Sequence, residues 1–284
     1  MRKLALIFFF FLFASYGNAQ SLHKLCALPA IVNESSGMVV VNENRFWTVN
    51  DSGGEVALYL CDTSGNLVRT VTVLGAWNRD WEELTQDDDG NLYIGNIGNN
   101  ANDSKDLCIF KIANPFADRS DSVQAQVIHY AYEDQKLFPP VDSAKNFDCE
   151  AMVWCNGSLY LFSKNRTRPF DGKTYLYKLP DSAGTYVAKK IGEFNTMGKS
   201  MFNNWITAAA MSPDKTKLAL LSSNKMWLFS AFEGDNFFAG KSKCIRFRYP
   251  TQKEAIAFVN NSMVYISDER YKKIGGKLYV LHLK

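Results

Sequence analysis

Glutamate recurs at short apolar openings along this chain. Glu34, Glu82, Glu150 and Glu254 stand in Glu34-Ser-Ser-Gly-Met, Asp80-Trp-Glu-Glu-Leu, Asp148-Cys-Glu-Ala-Met and Lys253-Glu-Ala-Ile-Ala-Phe, and Trp205-Ile-Thr-Ala-Ala-Ala-Met puts Thr207 in the same slot. If these side chains converge at separations near ~7 Å, each like-charge pair costs about 2 kcal/mol at an effective dielectric near 20. A bound hard cation, basic partners such as Arg79, Lys164 and Arg270, or raised pKa values would offset that cost. Calcium takes roughly six to eight irregular oxygen ligands, so it is the metal and the cofactor that Glu34, Glu82, Glu150 and Glu254 suit. The competing reading has each glutamate accepting backbone N–H groups and fixing the fold.

Asp51, Asp80 and Asp148 fall close to the same openings and extend the acidic set. Lys164-Asn-Arg-Thr-Arg168 brings Lys164 and Arg166 to one loop, and Arg270 follows the last acidic pair. Guanidinium forks suit phosphate or carboxylate, so Lys164, Arg166 and Arg270 are the candidate anion contacts. Asp87-Asp-Asp-Gly-Asn lacks a full calcium-loop ligand set and reads as a hairpin turn. The three histidines are scattered, and no Gly-x-Ser-x-Gly elbow, P-loop or dinucleotide fingerprint is present. Catalysis, if this chain performs any, must be built from carboxylates, a cation and basic side chains.

What positions these residues is a repeat. The five openings recur every ~45 to 70 residues, about the span of a four-stranded propeller blade. Most units read as an inner strand, a tight turn, a second strand and a third, as in Glu150-Ala-Met-Val-Trp, Cys155-Asn-Gly-Ser, Leu159-Tyr-Leu-Phe and Thr174-Tyr-Leu-Tyr-Lys-Leu. The expected fold is an all-β propeller of five blades, or six if a long unit hides a degenerate one. The fifth unit lacks an outer strand, which Leu22 to Val32 can supply, closing the ring and removing a sheet edge. In that architecture the loops entering inner strands and leaving second strands share one face, which gathers the acidic residues in a central funnel. Trp81 and Trp205 are expected between blades as core.

Residues 1–19 read as a signal peptide: Arg2 and Lys3, an apolar stretch from Leu4 to Ala14, then Gly17-Asn18-Ala19. Residues 20–284 are expected to form one domain, exported to a periplasmic or extracellular space, with no membrane span. Without Arg2 and Lys3 the 32 basic residues of the whole chain fall to 30 against 29 acidic, a formal charge of +1. That balance is no footprint for nucleic acid. The six cysteines match neither a dense disulfide framework nor a zinc site; a Cys61–Cys108 bridge and buried free thiols are both open.

Glu34-Ser-Ser-Gly, Asn50-Asp-Ser-Gly53, Asp80-Trp-Glu-Glu-Leu84, Leu92-Tyr-Ile-Gly-Asn-Ile-Gly-Asn99 and Phe147-Asp-Cys-Glu-Ala-Met152 resemble a family of exported bacterial β-propeller proteins grouped with TolB-like or phytase-like propellers. The resemblance implies an acidic, calcium-binding funnel, although relatives carry aspartates where this chain has Asn96 and Asn99. The functional expectation is a propeller that holds a ligand or a structural calcium ion in the funnel. The alternatives are a cation-dependent hydrolase of phosphoesters or glycosides at the same carboxylates, and an interaction platform for an envelope protein. The expected partner is accordingly a small molecule, a glycan or an envelope protein.

Overall fold

A computed structural model describes residues 20–117 and 120–283; the expected signal peptide, residues 1–19, lies outside them. The described chain is almost entirely β. After β1 (His23–Ala27) come β2 (Ser35–Asn42), β3 (Arg45–Asn50), β4 (Ala57–Asp62) and β5 (Leu67–Leu74), an antiparallel meander. The second unit is β6 (Glu83–Gln86), β7 (Leu92–Asn96), β8 (Cys108–Ile112) and β9 (Ser122–Tyr132). The third is β10 (Asp148–Cys155), β11 (Ser158–Lys164), β12 (Lys173–Pro180) and β13 (Gly184–Asn195). A single helical turn, α1 (Met201–Asn204), precedes β14 (Ala208–Met211), β15 (Lys217–Ser222), β16 (Lys225–Ser230) and β17 (Lys241–Arg246). The last unit is β18 (Lys253–Asn260), β19 (Met263–Asp268) and β20 (Lys277–His282), and β1 pairs with β20 through His23 opposite Val280.

These sheets pack face to face. The inner strand β2 lies against β6, β6 against β10, β10 against β14, β14 against β18, and β18 against β2. Because both faces of each sheet are covered, the strands read as near-continuous apolar runs, and alternate residues face different neighbours. Leu92 and Ile94 pack with Trp47, Leu58 and Trp81 on the first-unit side, whereas Tyr93 packs with Met152, Leu159 and Tyr177 on the third-unit side. Further clusters fill the spaces between units three and four, four and five, and five and one. The outer strand β9 also pairs in parallel with both β5 and β13.

A kink recurs where the inner strands begin. Register shifts fall at Gly37, Glu150 and Glu254, between Ser36 and Met38, Cys149 and Ala151, and Lys253 and Ala255. The equivalent residues in the two shorter inner strands are Glu82 and Thr207, whose N–H groups bond Gly95 and Leu221 carbonyls at 2.9 and 3.1 Å. A bulge leaves one residue unpaired and re-aims its side chain, here bringing Glu150 and Glu254 to Lys164. In the first unit the shift falls at Gly37, at φ 67°, where any β-carbon would collide with Leu84 N, and Ser36 precedes it as Glu82 precedes Glu83. Glu34, expected to match Glu82, Glu150 and Glu254, instead lies before β2 on an exposed loop.

The Asp87 segment is a hairpin turn, with Asp87 Oδ1 accepting the Asp89 and Asn91 N–H groups. Trp81 is fully buried, as expected of core. Trp205 departs from that expectation. It is half-buried, with Arg166 Cζ 4.5 Å and Lys164 Nζ 5.2 Å from its ring centre. All six cysteines are free among the described residues; Cys61 and Cys108 lie in different clusters and form no bridge. No helix among the described residues is long and apolar enough to cross a membrane.

Candidate functional site

The channel mouth is built from loops that enter inner strands and leave second strands. Asp51 follows β3, Asp80 and Glu82 precede β6, and one carboxylate oxygen from each lies within 4.8 Å of the others. Asn96, at the end of β7, fixes this loop by accepting the Arg79 and Asp80 N–H groups, both at 3.1 Å. Gly98 completes the cradle. A β-carbon there would collide with Asp80 Oδ2 and Glu82 Oε1, so the absence of a side chain lets both carboxylates approach.

Glu82 is 4% exposed, and no donor among the described residues reaches its carboxylate. Burial, with Glu150 and Asp51 adding to it, pushes that carboxyl well above the ordinary range. Burial also raises Asp80, Asp148 contributing. It raises Asp51 to about 6, although the Ser52 N–H opposes it.

Glu150 and its neighbours form the opposite wall. Lys164 Nζ donates to Glu150 Oε1, and Arg166 Nη2 stands 3.6 Å from the same oxygen. Arg166 Nε donates to Asp148 Oδ2 at 2.7 Å, while Asp148 Oδ1 accepts the Asn99 N–H at 2.7 Å. Burial would lower Lys164, but Glu150, Glu254 and Asp148 hold it above the ordinary lysine range. Glu150 Oε2 is buried without a hydrogen-bond partner. Burial pushes Glu150 to about 7 against the attraction of Lys164.

On β18 and the loop after β19, Glu254 is raised well above the ordinary range by burial, Glu150 and Glu269 adding to it, and Glu269 is raised to about 8 by burial and Asp51. Seven carboxyl groups thus face two cations, Lys164 and Arg166, that are already engaged.

The sequence-predicted set is only partly convergent. Asp51, Asp80, Glu82, Asp148, Glu150, Glu254, Lys164 and Arg166 come together at the mouth. Glu34 reaches the rim only through its charge on Asp51 and Glu269. Arg270 is exposed and donates to the Leu28 carbonyl at 3.0 Å.

Glu83, Gly98 and Glu269 were not singled out by sequence. Glu83 is fully buried in the channel below Glu82. It accepts the Ala209 N–H at 2.9 Å, and the Leu84, Met152 and Met38 N–H groups also favour its charged form, though burial still raises it. The residues equivalent to it in the other units are Gly37, Ala151, Ala208 and Ala255, so only the second unit carries a carboxylate there. The signal available was that only one inner strand carries two successive glutamates.

No protein-family model matches the chain, and no curated protein matches it. Among solved structures, the chain is similar to the PQQ-bound aldose sugar dehydrogenase of Streptomyces coelicolor, with a TM-score of 0.55 at 9% identity over 93% of this chain and 98% of that one. It is also similar to the β-propeller domain of Myceliophteria thermophila Cps50, with a TM-score of 0.44 at 9% identity over 88% and 97% of the two chains. The RRP9 WD40 repeats give 0.45 at 10% identity over 88% and 67%. At such identities the likeness concerns fold alone: the chain is a β-propeller.

Proposed function

We propose that this propeller has five blades, its ring closed by β1 in the last blade, and that it binds a hard divalent cation, calcium, in the funnel. The observation that carries the cation reading is the Asp51, Asp80 and Glu82 triad, with Glu82 buried and lacking a hydrogen-bond donor. Uncompensated buried carboxylate is costly, and an oxygen-only donor set fits calcium better than a nitrogen- or sulfur-preferring metal. The unpartnered Glu150 Oε2 offers a further ligand on the facing wall. Lys164 and Arg166 then limit the repulsion left by the remaining carboxylates, rather than serving as free anion contacts. Export, as the N-terminal segment suggests, would put the protein where calcium is abundant.

The test is thermal melting of the protein with chelator and during calcium titration, alongside metal analysis. A calcium-specific rise in Tm with about one bound ion is expected. No bound ion and no rise at millimolar calcium would sink the proposal.

Cation-dependent hydrolysis is a second reading, in which buried carboxyls outside the Asp51, Asp80 and Glu82 triad, such as Glu150 and Glu254, would serve as acid and base beside the ion. Turnover of phosphoester or glycoside substrates by the calcium-loaded protein, lost in Glu82→Gln, is its expected signature. An inactive loaded protein across both substrate classes would remove it.

A further inference from the structure

A cavity of about 170 Å³ lies between the third, fourth and fifth units, lined in part by Lys164, Phe202, Trp205, Thr207, Gln252 and Glu254. We infer that this cavity is the ligand subsite of the funnel and takes one ring of a neutral sugar, Phe202 stacking on the ring and Glu254 bonding its hydroxyls. The inference rests on the funnel being the binding surface of the proposed function, not on the ion itself: Glu254 and Lys164 line the cavity, and both act through their charge on Glu150.

Size sets the first limit. The cavity is well below the roughly 300–1,000 Å³ of sites for drug-sized ligands, so it admits a single ring rather than a chain. Charge sets the second. An anionic ligand would meet Glu254, with Glu150 and Glu269 close enough to raise its pKa, and the cations that might offset them are held by Glu150 and Asp148. A cationic ligand would have to share the Trp205 ring with Lys164 and Arg166. A neutral ligand incurs neither repulsion.

The remaining groups suit hydroxyls. No hydrogen-bond donor among the described residues reaches the Glu254 carboxyl, which is 8% exposed, so it can accept from a sugar hydroxyl. Thr207 Oγ1 spends its proton on the Lys253 carbonyl at 2.6 Å and keeps lone pairs free. The cavity's other cation is also occupied: Lys253 Nζ donates to the Ser223 and Tyr249 carbonyls and to Thr251 Oγ1, at 2.9, 3.1 and 2.7 Å. Phe202, on α1, is 46% exposed and presents an aromatic surface to the cavity. The C–H face of a pyranose is apolar and its rim hydroxylated, which matches a cavity lined by aromatic rings, a carboxyl and a hydroxyl.

The experiment is saturation-transfer NMR and calorimetry on the calcium-loaded protein with glucose, galactose and mannose, and with glucosamine and glucuronate as charged analogues. Calcium binding is measured separately on the sugar-free protein. At least one neutral hexose is expected to bind more tightly than either charged analogue. Phe202→Ala should weaken it tenfold or more, Phe202→Tyr should restore it, and calcium affinity should hold in both. Absence of hexose binding to protein that does bind calcium overturns the subsite and leaves the cation reading intact. Unchanged hexose affinity in Phe202→Ala, or tighter binding of a charged analogue, also overturns it. Hexose binding by protein that binds no calcium supports the subsite and removes only the cation reading.

Discussion

Glu82 and Glu83 are adjacent in sequence and opposite in circumstance. Both are nearly or fully buried, and burial raises both. Glu83 has backbone N–H groups of four inner strands directed at it, whereas Glu82 faces two aspartates and no donor. Net charge, burial and pKa direction do not separate the two; the supply of donors does. A carboxylate surrounded by N–H groups holds blades together, and one surrounded by carboxylates awaits a counter-ion.

The sharpest way to test that distinction is to remove the group that has the donors. Glu83→Ala leaves backbone N–H groups from several blades without an acceptor, and it should lower unfolding free energy by about 2–4 kcal/mol in urea titration. A loss no larger than that of an exposed glutamate would erase the contrast. Next comes Gly98→Val, which drives a side chain between Asp80 and Glu82. The calcium-induced rise in Tm should vanish while the apo protein loses only about 1–3 kcal/mol through overpacking.

Acidity offers a test without mutation. Asp51, Glu150 and Glu269 have folded-state pKa values of about 6, 7 and 8, above the ~4 of an unfolded carboxylate. The folded protein therefore holds protons that the unfolded chain releases. This contribution is complete below pH ~4 and is lost as pH rises through 6 to 8. Apo melting temperature should fall across that window, calcium should reverse most of the fall, and calcium affinity should rise with pH as the ion replaces protons. A flat apo profile would mean the funnel carboxyls are already compensated.

The smallest effect belongs to Glu82→Gln. It removes one like charge and an ion ligand together, so apo stability should stay within about 1 kcal/mol of the parent while calorimetry registers at least a tenfold loss of calcium affinity. A large apo loss would place Glu82 with Glu83 as structure.

Much of this arrangement was legible in the chain. Strands covered on both faces write themselves as apolar runs, and turns such as Asn156-Gly157 mark their ends, so the units and the pairing of β1 with the last strands could be anticipated. The bulges could not. A bulge breaks the period-two alternation, which is why Glu34 seemed matched to Glu150 and Glu254 when Ser36 holds that place, and why Glu83 was hidden behind Glu82. Gly98 and Glu269 escaped for a different reason. They lie on loops after second strands, where no periodicity constrains direction and only the folded ring brings them to the carboxylates.

The pairing of His23 with Val280 also sets an order of events. Chains are made from the N-terminus onward, so β1 is among the first described segments to emerge and must wait for a partner that is among the last. Its sequence tolerates the wait: in His23-Lys-Leu-Cys-Ala only Cys26 is buried, and His23 and Lys24 face solvent. The last sheet therefore gains its fourth strand in one late, long-range step, and the energy of that step is shared by both ends of the chain. Loosening either end should be felt at the other, which makes melting of the first and last strands a single cooperative event.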